Sequence, residues 1–572
     1  MTYYSNVNLD LLSCIPINAK CILEVGCGTG HFARAFLKRN PVAQYVGVEL
    51  FKDAAREAAG FLSHVVIGDI ENEQILAELD EIRGKELFEI LIFGDVLEHL
   101  HSPRKVLEKL RSRIMPSGLC VACIPNVAHW SVLQQQLRGR WDYVDSGLLD
   151  RTHLRFFTLE TAVELFQKAG WTVLDAKARI LWPEKTASAL NTFAPLADKL
   201  GIAPEKLRRD LSAFQWIIRA VNGTTPTVIS IGALGLNKIA GVTEVRVDHP
   251  MTALSTLPTV KAVWGAGRVT LPPDWSPGVL VLHRQFMNDA QFNVQIEHKI
   301  AQRWVIVADI DDDPHHWKES IETDFYAYKA VHAVTVSTEP LAEMIRQWNP
   351  NVQIFHNAIF ELPPVSSETP KQGERLRIFF GALNRENDWS DVLDGIVAAV
   401  DKIEDTVQFV VVHDKAFFDA LPDGISKEFH PTLPYDHYMA VLTTCDVALL
   451  PLSDNPFNRS KSDLKFIECC AAGVVPICSP VVYAERSVHH KIGSFATTSD
   501  EWQQALTDVL RRPEEISRRR ALGLAYVKRE RMHCHQLAAR EEYYQRLLMQ
   551  RDSLETERQA RLKMYKLNSS RT

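Results

Sequence analysis

Three side chains that can exchange protons or bind a metal ion stand close together in the sequence: Asp95, Glu98 and His99. An imidazole has a pKa of about 6.5, so His99 can accept a proton from a hydroxyl group at neutral pH. Carboxylate oxygens and an imidazole nitrogen are also ligands for divalent cations. We therefore predict that Asp95 and His99 are catalytic. The alternative is a structural role at the start of a helix.

A glycine-rich turn lies upstream of this cluster. The run EVGCGTG, from Glu24 to Gly30, closes an apolar stretch and opens an amphipathic one. Glycines in such a turn let the backbone approach a ligand closely and adopt a positive φ. A dinucleotide site of the pattern G-x-G-x-x-G would require glycine at position 31, where this chain has His31. The turn therefore predicts a site for a different ligand.

Acidic residues close three further predicted strands, at Glu49, Asp69 and Asp95. Ligands of an open α/β sheet bind at the carboxyl ends of its strands, so we expect these strand ends to meet at one crevice. A solvated carboxylate is the alternative for any one of them alone. The predicted ligand-binding residues are Glu24, Gly26, Cys27, Gly28, Gly30, Glu49, Asp69 and Asp95.

A second cluster that can bind a charged ligand lies where a predicted loop enters a helix, with Lys461, Ser462, Lys465 and Glu468. A helix N-terminus offers unpaired N–H groups and a partial positive charge, which suit a diphosphate. We expect Lys461 and Lys465, four residues apart, to share one face of that helix. Glu468 is placed to hold ribose hydroxyls. The alternative is a charged, solvated helix face.

The elements around both clusters alternate between strands and helices, which predicts an α/β fold with parallel, doubly wound sheets. We place a first domain at residues 1–182 and a helical connector or cap at 183–222, ending at the turn-rich NGTTPT segment. Two further Rossmann-like regions follow. The predicted boundaries are 223–365 for an N-terminal lobe, 366–550 for a C-terminal lobe and 551–572 for a charged helical tail.

Composition limits the function classes. The chain has 572 residues, of which 46% are hydrophobic. Its formal net charge of -7 argues against a nucleic-acid binder, which would normally carry a basic excess. We find neither a secretory signal nor an apolar run of about 20 residues, so we expect no membrane span and a cytoplasmic location. The ten cysteines lie mostly in apolar patterns. Cys120 and Cys123 have no second pair at ligand spacing, so we interpret them as buried structural residues.

The motifs of the first domain are EVGCGTG from Glu24, VEL ending at Glu49, GDI from Gly68, GDVLEHLHSP from Gly94, MPSG from Met115 and IPN from Ile124. With them, the region from about Lys20 to Leu181 resembles class I S-adenosylmethionine-dependent methyltransferases of the ubiquinone-biosynthesis O-methyltransferase type. The resemblance implies S-adenosylmethionine as cofactor. Those enzymes carry a Glu-x-x-Glu-His arrangement implicated in binding a divalent metal, where this chain has Asp95 in the first position. The resemblance therefore implies a divalent-metal site formed by Asp95, Glu98 and His99.

The segment GRWDYVDSGLLDRTHLRFFT, from Gly139, is similar to methyltransferases of polysaccharide and glycan gene clusters. That similarity implies a sugar hydroxyl as the methyl acceptor. His153 is a further predicted catalytic residue, and His129 and Asp150 are candidates on the acceptor side. For Trp130, Trp141 and Phe156 two roles are open: packing in the core, or an aromatic platform for a sugar ring.

The stretch PLSDNPFNRSKSDLKFIECCAAGVVPICSP, from Pro451, resembles the donor-binding signature of retaining glycosyltransferases of the GT-B fold. Those enzymes often have two glutamates separated by seven residues. Glu468 matches the second and Ser460 replaces the first, so retention or inversion at the anomeric carbon stays open. FFGALNRENDW, from Phe379, resembles the first loop of the donor lobe. The predicted nucleotide-sugar-binding residues are Gly381, Asn384, Arg385, Lys461, Ser462, Lys465 and Glu468.

Further residues of the N-terminal lobe can line the same cleft, and the catalytic base is left open. His283 and Arg284 follow a predicted strand, and His430 is a candidate on the donor side. The segment VADIDDDPHHW, from Val307, resembles an Asp-x-Asp metal site, but such sites belong to a different glycosyltransferase fold.

Together these features predict a bifunctional enzyme of glycan biosynthesis, a fusion of an O-methyltransferase with a nucleotide-sugar glycosyltransferase. The expected partners are a nucleotide sugar and a glycan or glycosylated protein, such as bacterial surface polysaccharide or flagellin, with no nucleic acid. One alternative is a methyltransferase fused to a catalytically silent glycan-binding module. Another is a nicotinamide-dependent sugar oxidoreductase, against which His31 argues.

Overall fold

The computed structural model describes residues 7–84, 86–365, 375–381, 387–401 and 406–569. The chain divides into two compact units. The first comprises residues 1–228 with 255–259, and the second comprises residues 229–254 with 260–572.

The first unit is built on one seven-stranded sheet with the strand order β3-β2-β1-β4-β5-β7-β6. Its strands are β1 (Cys21–Val25), β2 (Gln44–Glu49), β3 (His64–Ile67), β4 (Phe88–Gly94), β5 (Ile114–Pro125), β6 (Thr172–Arg179) and β7 (Gln215–Val221). Its helices are α1 (Leu9–Leu12), α2 (His31–Arg39), α3 (Lys52–Ala58), α4 (Glu73–Arg83), α5 (Pro103–Arg111), α6 (Trp130–Leu137), α7 (Leu159–Lys168), α8 (Pro183–Lys199) and α9 (Pro204–Ser212).

Alternate residues of the central strands pack into different clusters because successive side chains of a strand point to opposite faces. In β1, Leu23 and Val25 join one buried cluster, and Ile22 joins another. Burial on both faces explains why β1 reads as a continuous apolar run, as parallel strands in α/β proteins do. The prediction of a parallel, doubly wound sheet is confirmed for the five strands β1 to β5.

The structure corrects the boundary predicted at residue 182. After α8 and α9 the chain returns to the sheet as β7, which runs antiparallel between β5 and β6. Leu119–Pro125 of β5 pairs with β7 along its whole length. Residues 183–222 are therefore part of the first unit, with two helices inserted before its last strand in the chain.

The second unit contains two six-stranded parallel sheets. The first has the order β13-β12-β11-β10-β8-β9 and the second β16-β15-β14-β17-β18-β19. Their strands are β8 (Ile229–Gly235), β9 (Val260–Ala266), β10 (Val279–His283), β11 (Val305–Ile310), β12 (Ala333–Val336), β13 (Val352–Ile354), β14 (Leu376–Gly381), β15 (Val407–Val412), β16 (Lys427–His430), β17 (Val447–Leu450), β18 (Val475–Cys478) and β19 (Ser494–Phe495).

Helices accompany both sheets. They are α10 (His249–Ser255), α11 (Ala290–Ala301), α12 (Lys318–Glu322), α13 (Tyr326–Lys329), α14 (Glu339–Arg346), α15 (Leu393–Val400), α16 (Lys415–Ala420), α17 (Tyr435–Leu442), α18 (Pro456–Arg459), α19 (Leu464–Ala472), α20 (His489–Ile492), α21 (Ser499–Leu510), α22 (Pro513–Glu530), α23 (His533–Met549) and α24 (Arg551–Ser569). Two Rossmann-like lobes in succession are the GT-B arrangement that the sequence predicted.

The predicted C-terminal tail is packed against the N-terminal lobe of the second unit. The guanidinium of Arg558, in α24, is fully buried and donates to both carboxylate oxygens of Glu297 in α11, at 2.8 and 3.0 Å. Leu562 joins the apolar core of that lobe. The charged run therefore supplies buried contacts as well as solvated side chains.

All ten cysteines lie within the described residues, and every one is buried and outside any disulfide bond. Burial raises the pKa of thiols at several of these positions, well above its usual range at Cys120 and Cys123. The expectation that Cys120 and Cys123 are structural is consistent with this burial. Within the described residues, no helix combines the length and apolar character that crossing a membrane requires.

Candidate functional site

A cleft of about 870 Å³ opens at the carboxyl ends of the strands in the first unit. Gly26 and Gly28 line it on the glycine-rich turn, with Glu49 after β2, Asp69 after β3 and Asp95 after β4. The predicted meeting of strand ends at one crevice is therefore what the structure shows. Whether a cofactor binds these residues stays a prediction.

The glycine turn requires glycine for two physical reasons. Gly26, Gly28 and Gly30 all adopt positive φ, at 75°, 54° and 79°. At Gly26 a Cβ atom would lie only 2.4 Å from Cγ2 of Val96. A side chain at Gly26 would therefore add backbone strain and close the approach to the cleft.

Glu49 is the acid that this turn holds most directly. One of its carboxylate oxygens accepts a hydrogen bond from the Gly28 N–H at 2.8 Å, and the other accepts one from the Phe51 N–H at 2.9 Å. These contacts fix the carboxylate beside the glycines, where a ribose hydroxyl can reach it. Asp69 accepts from the Glu71 N–H at 2.9 Å and also lines the cleft.

Glu24 and Cys27 line the same cleft, but both are buried. The Tyr45 hydroxyl donates to Glu24 Oε2 at 2.9 Å, and burial raises the pKa of this carboxyl to about 8. Glu24 is therefore mostly protonated at neutral pH, so it can donate a hydrogen bond to a ligand.

Asp95 is held in an unusual backbone conformation at the end of β4, with φ at 57°. Its Oδ1 accepts a hydrogen bond from Nε2 of Gln215, the first residue of β7. Burial raises the pKa of Asp95 to about 6, although the contacts with Cys123 and Arg179 oppose the shift. Gln215 was not predicted from the sequence, because nothing local indicates that β7 returns beside β5.

Glu98 lines the cleft with a buried carboxyl group. Its side chain is only 1% exposed, and neither carboxylate oxygen has a hydrogen-bond partner. Burial raises its pKa well above the usual range, and the neighbouring Asp95 adds to the shift. A buried carboxylate is costly unless it is protonated or a cation neutralises it.

Two imidazoles face this carboxylate. His153 Nδ1 lies 3.2 Å from the Leu148 carbonyl and donates to it, which leaves Nε2 4.0 Å from Glu98 Oε1. Burial lowers the pKa of His153, so its ring is neutral and Nε2 carries a lone pair. The ring centroid of His99 lies 4.8 Å from that of His153, and His99 Nδ1 lies 3.1 Å from Thr152 Oγ1.

The potential metal ligands differ from the predicted set. One donor atom from each of Glu98, His99 and His153 lies within 4.8 Å of the others. Asp95, which belongs to the predicted set, is not in this group and instead accepts a hydrogen bond from Gln215. His153 takes its place because the loop before α7 returns to Glu98, where the Leu154 and Arg155 N–H groups both donate to the Glu98 carbonyl.

The other acceptor-side candidates fall into two groups. Asp150 and His153 both line the cleft. Asp150 Oδ1 accepts hydrogen bonds from the N–H and the hydroxyl of Thr152. His129 is not among the cleft-lining residues, and burial lowers its pKa to about 4. Trp130 Nε1 donates to Thr186 Oγ1 at 3.2 Å, and Trp141 packs edge-on against Phe156 at 5.5 Å.

The predicted donor cluster of the second unit departs from the expected helix geometry. Helix α19 begins at Leu464 with Asp463 as N-cap, so Lys461 lies before the helix and does not share a face with Lys465. Arg531 Nη2 donates to Asp463 Oδ1 at 2.7 Å. The carboxylate of Asp463 thus stands at the helix N-terminus where a diphosphate was expected.

Each remaining residue of this cluster has a defined contact. Lys461 Nζ lies 3.4 Å from Asp312 Oδ1, and Lys465 Nζ donates to Glu468 Oε2 at 3.0 Å. Ser462 Oγ accepts from Asn357 Nδ2 at 2.8 Å. Glu468 is fully buried, so its carboxylate is not exposed to a ribose in this conformation.

A small cavity of about 40 Å³ lies beside this cluster. Gly381, Lys465, Tyr435 and Tyr438 line it, together with Gly241 of the N-terminal lobe. Two other predicted binding residues, Asn384 and Arg385, lie outside the described residues.

The acidic segment at the end of β11, from Asp309 to Asp313, is engaged in ion pairs. Arg246 donates to both carboxylate oxygens of Asp309, and His283 Nδ1 lies 2.8 Å from Asp309 Oδ2. Arg284 binds Asp311 and Asp312 at 2.8 and 2.9 Å. Across the described residues, the only group of three or more potential metal ligands is in the first unit.

Comparisons with known proteins find a methyltransferase match within the first unit. Residues 7–176 match the family model described as Methyltransferase domain. The ubiquinone biosynthesis O-methyltransferase of Rhodopseudomonas palustris (strain TIE-1) is 26% identical over 202 residues, which cover 35% of this chain and 71% of that protein. The first unit therefore contains a class I S-adenosylmethionine-dependent methyltransferase domain, as the sequence predicted.

Two solved structures are similar to parts of the chain. A SAM-dependent methyltransferase from Thermotoga maritima aligns with 37% of this chain and 87% of its own, at 17% identity and a TM-score of 0.25. WaaG, a glycosyltransferase involved in lipopolysaccharide biosynthesis, aligns with 55% of this chain and 98% of its own, at 11% identity and a TM-score of 0.41.

Proposed function

We propose that this chain is a bifunctional enzyme of glycan biosynthesis. Its first unit methylates a sugar hydroxyl with S-adenosylmethionine, and its second unit transfers a sugar from a nucleotide donor. The observation that carries the first activity is the cleft at which the glycine turn, Glu49, Asp69 and Asp95 meet, within the segment that matches a methyltransferase family. The ten buried cysteines, none of them in a disulfide bond, support a reducing compartment, and we place both reactions in the cytoplasm.

We assign the cofactor contacts as follows. Glu49 accepts hydrogen bonds from the ribose hydroxyls, Asp69 faces the adenine edge, and Gly26 and Gly28 allow the methionine portion to approach the backbone. Glu24 and Cys27 line the floor of the same cleft. In this arrangement the sulfonium methyl group points toward Asp95 and His99, where the acceptor hydroxyl must lie for in-line transfer.

Glu98, His99 and His153 have the donor types that hold a divalent cation, and the unpartnered carboxylate of Glu98 fits such a group. A bound cation would supply charge that lowers the pKa of a coordinated acceptor hydroxyl. We assign Asp95 as the residue that takes the proton, because its pKa of about 6 leaves it mostly ionised at neutral pH. Gln215 positions the Asp95 carboxylate for this step.

Isothermal titration calorimetry with S-adenosylhomocysteine tests the first activity on the full chain. We expect one site per chain, and we expect methyl transfer from S-adenosylmethionine to glycans of a bacterial surface polysaccharide or flagellin, detected by mass spectrometry. NADH, titrated in parallel, should not bind. Absence of S-adenosylhomocysteine binding to the unchanged protein would exclude the methyltransferase proposal.

For the second activity, the supporting observation is the contact of Lys461 with Asp312. Lys461 belongs to the C-terminal lobe and Asp312 to the N-terminal lobe, so a lysine of one lobe neutralises a carboxylate of the other. A donor diphosphate carries the same sign of charge as this carboxylate and can replace it at Lys461. Gly381 lies beside Lys465, where the absence of a side chain permits close approach of a ligand.

We expect the variant Lys461→Ala to bind its preferred nucleoside diphosphate about 10- to 100-fold more weakly, because it loses a charge-assisted contact. Thermal-shift titrations with UDP, GDP, ADP and dTDP would identify that nucleotide in the unchanged protein and measure its loss. Lys329→Ala is the matched control, since Lys329 also pairs with one aspartate, Asp324, in the N-terminal lobe. Equal affinity of the Lys461→Ala and Lys329→Ala proteins would contradict the assignment.

A second candidate for this unit is a catalytically silent glycan-binding module. The cavity beside Lys465 measures only about 40 Å³, whereas ligand pockets usually measure about 300–1,000 Å³. This small volume argues against a nucleotide-sugar site and so favours the silent module over a transferase. Glu468 is also fully buried, and Ser460 uses its hydroxyl to donate to the Phe457 carbonyl. Slow hydrolysis of a nucleotide sugar by the full chain, lost in Lys461→Ala, would exclude the silent module.

A further inference from the structure

An exposed tryptophan follows β6 at the start of α8. The side chain of Trp182 is 52% exposed, and its backbone adopts φ at 51°. A bulky residue in the left-handed region is rare, and strained residues are concentrated at functional sites. A large apolar ring exposed to solvent on a strained backbone is a candidate contact for a ligand.

Trp182 packs against a residue of the methyltransferase cleft. Its ring meets that of Phe214 edge-on, with centroids 5.5 Å apart at 87°, and Phe214 lines the cleft. Gln215, the next residue, donates to Asp95. In the described part of the first unit, three residues other than glycine have positive φ: Asp95, Ser117 and Trp182. Two of them are thus joined through Phe214 and Gln215.

Polar groups accompany the two aromatic rings. Arg179 and Gln215 both line the cleft, and Arg179 Nη1 donates to Gln215 Oε1. A hexopyranose combines a face of C–H groups with a rim of hydroxyls. The negative face of an aromatic ring attracts the C–H groups, and guanidinium and amide groups bind hydroxyls. The combination of Trp182, Phe214, Arg179 and Gln215 matches both features.

We infer that Trp182 and Phe214 form a subsite that binds a hexopyranose ring of the methyl acceptor, with Arg179 and Gln215 contacting its hydroxyls. This inference rests on the proposed methyltransferase function, and it assigns the acceptor class to residues that sequence motifs do not identify. The subsite lies next to Asp95, so a sugar stacked there presents a hydroxyl to the base.

Saturation-transfer difference NMR tests the subsite on the full chain saturated with S-adenosylhomocysteine. The probes are methyl glycosides of glucose, galactose, mannose and rhamnose. We expect at least one to bind, with the strongest transfer to protons of its C–H face. Trp182→Ala should weaken that binding about tenfold, and Trp182→Phe should retain most of it because a ring remains.

Two controls separate the outcomes. Leu200→Ala removes an exposed apolar side chain at the end of α8, and it should leave glycoside binding unchanged. All three variants should bind S-adenosylhomocysteine as the unchanged protein does, whereas failure of the unchanged protein to bind it would refute the methyltransferase proposal itself. Normal cofactor binding with glycoside affinity unaffected by Trp182→Ala, or with no glycoside bound at all, would overturn the subsite. So would Trp182-dependent binding of 3,4-dihydroxybenzoate in place of the sugars.

Discussion

The Glu49→Gln protein is expected to bind S-adenosylhomocysteine about 100-fold more weakly than the unchanged protein. Hydrogen bonds to a charged group contribute about 1.5–3 kcal/mol each, and a ribose offers two hydroxyls to this carboxylate. The loss is specific to the ligand because a glutamine oxygen can still accept from one of the N–H groups of Gly28 and Phe51 that hold Glu49. Calorimetric titration of both proteins measures the difference.

Glu89→Gln is the matched control for this experiment. Glu89 also accepts a backbone hydrogen bond, from the Lys20 N–H at 2.7 Å, but it does not line the cleft. We expect its affinity for S-adenosylhomocysteine to equal that of the unchanged protein. Similar affinities for the Glu49→Gln and Glu89→Gln proteins would show that Glu49 does not contact the cofactor.

Adding a divalent cation to chelator-treated protein is expected to raise the melting temperature of the first unit by about 5–10 °C. A ligand present at 100 times its Kd stabilises the folded state by about 2.7 kcal/mol, and each kcal/mol shifts a domain of this size by about 2–4 °C. Zn²⁺ and Mn²⁺ are the first cations to test, because two imidazoles and one carboxylate suit them better than Mg²⁺. Methyl transfer should fall on chelation and return with the cation.

The pH dependence of stability gives an independent measure of Glu98. Burial raises its pKa in the folded state, so the folded protein retains a proton that the unfolded chain loses above about pH 4.5. The free energy of unfolding of the metal-free unit therefore falls as pH rises from that value. Asp95 and Glu24, whose pKa values are raised to about 6 and about 8, act in the same direction.

The variant Glu98→Gln tests both the binding of the cation and the pH dependence that the Glu98 proton causes. The variant should lose the stabilisation by the cation and also the part of the pH-dependent decrease that Glu98 causes. Glu24→Gln, which replaces another buried carboxyl outside the metal group, should keep the cation response. A cation response retained in Glu98→Gln would refute the metal site.

Local patterns predicted the glycine turn and the acids at the strand ends, because spacing along one strand, turn and helix decides where they lie. His153 was predicted as a catalytic residue, but neither its position beside Glu98 nor the role of Gln215 could be found in this way. His153 reaches Glu98 through a loop that folds back after α6, and Gln215 reaches Asp95 through an antiparallel strand inserted late in the chain. Both contacts depend on tertiary packing that no periodicity records.

The second unit shows the same limit in another form. Spacing of four residues placed Lys461 and Lys465 on one helix, but α19 begins only at Leu464, after Lys461. The acidic segment of residues 309–313 matched a metal motif by composition. In the structure, arginines from distant segments, Arg246 and Arg284, neutralise three of these carboxylates. Charge partners of this kind lie far away in the sequence.

The burial of all ten thiols makes this protein well suited to site-specific chemical labelling. Maleimides react with exposed thiolates, and the native cysteines are both covered and, at most positions, shifted toward the protonated form. A cysteine introduced at an exposed position such as Leu200 or Met549 would therefore be modified selectively in the folded chain. A fluorophore could thus be attached at one chosen position without removal of any native residue from the core.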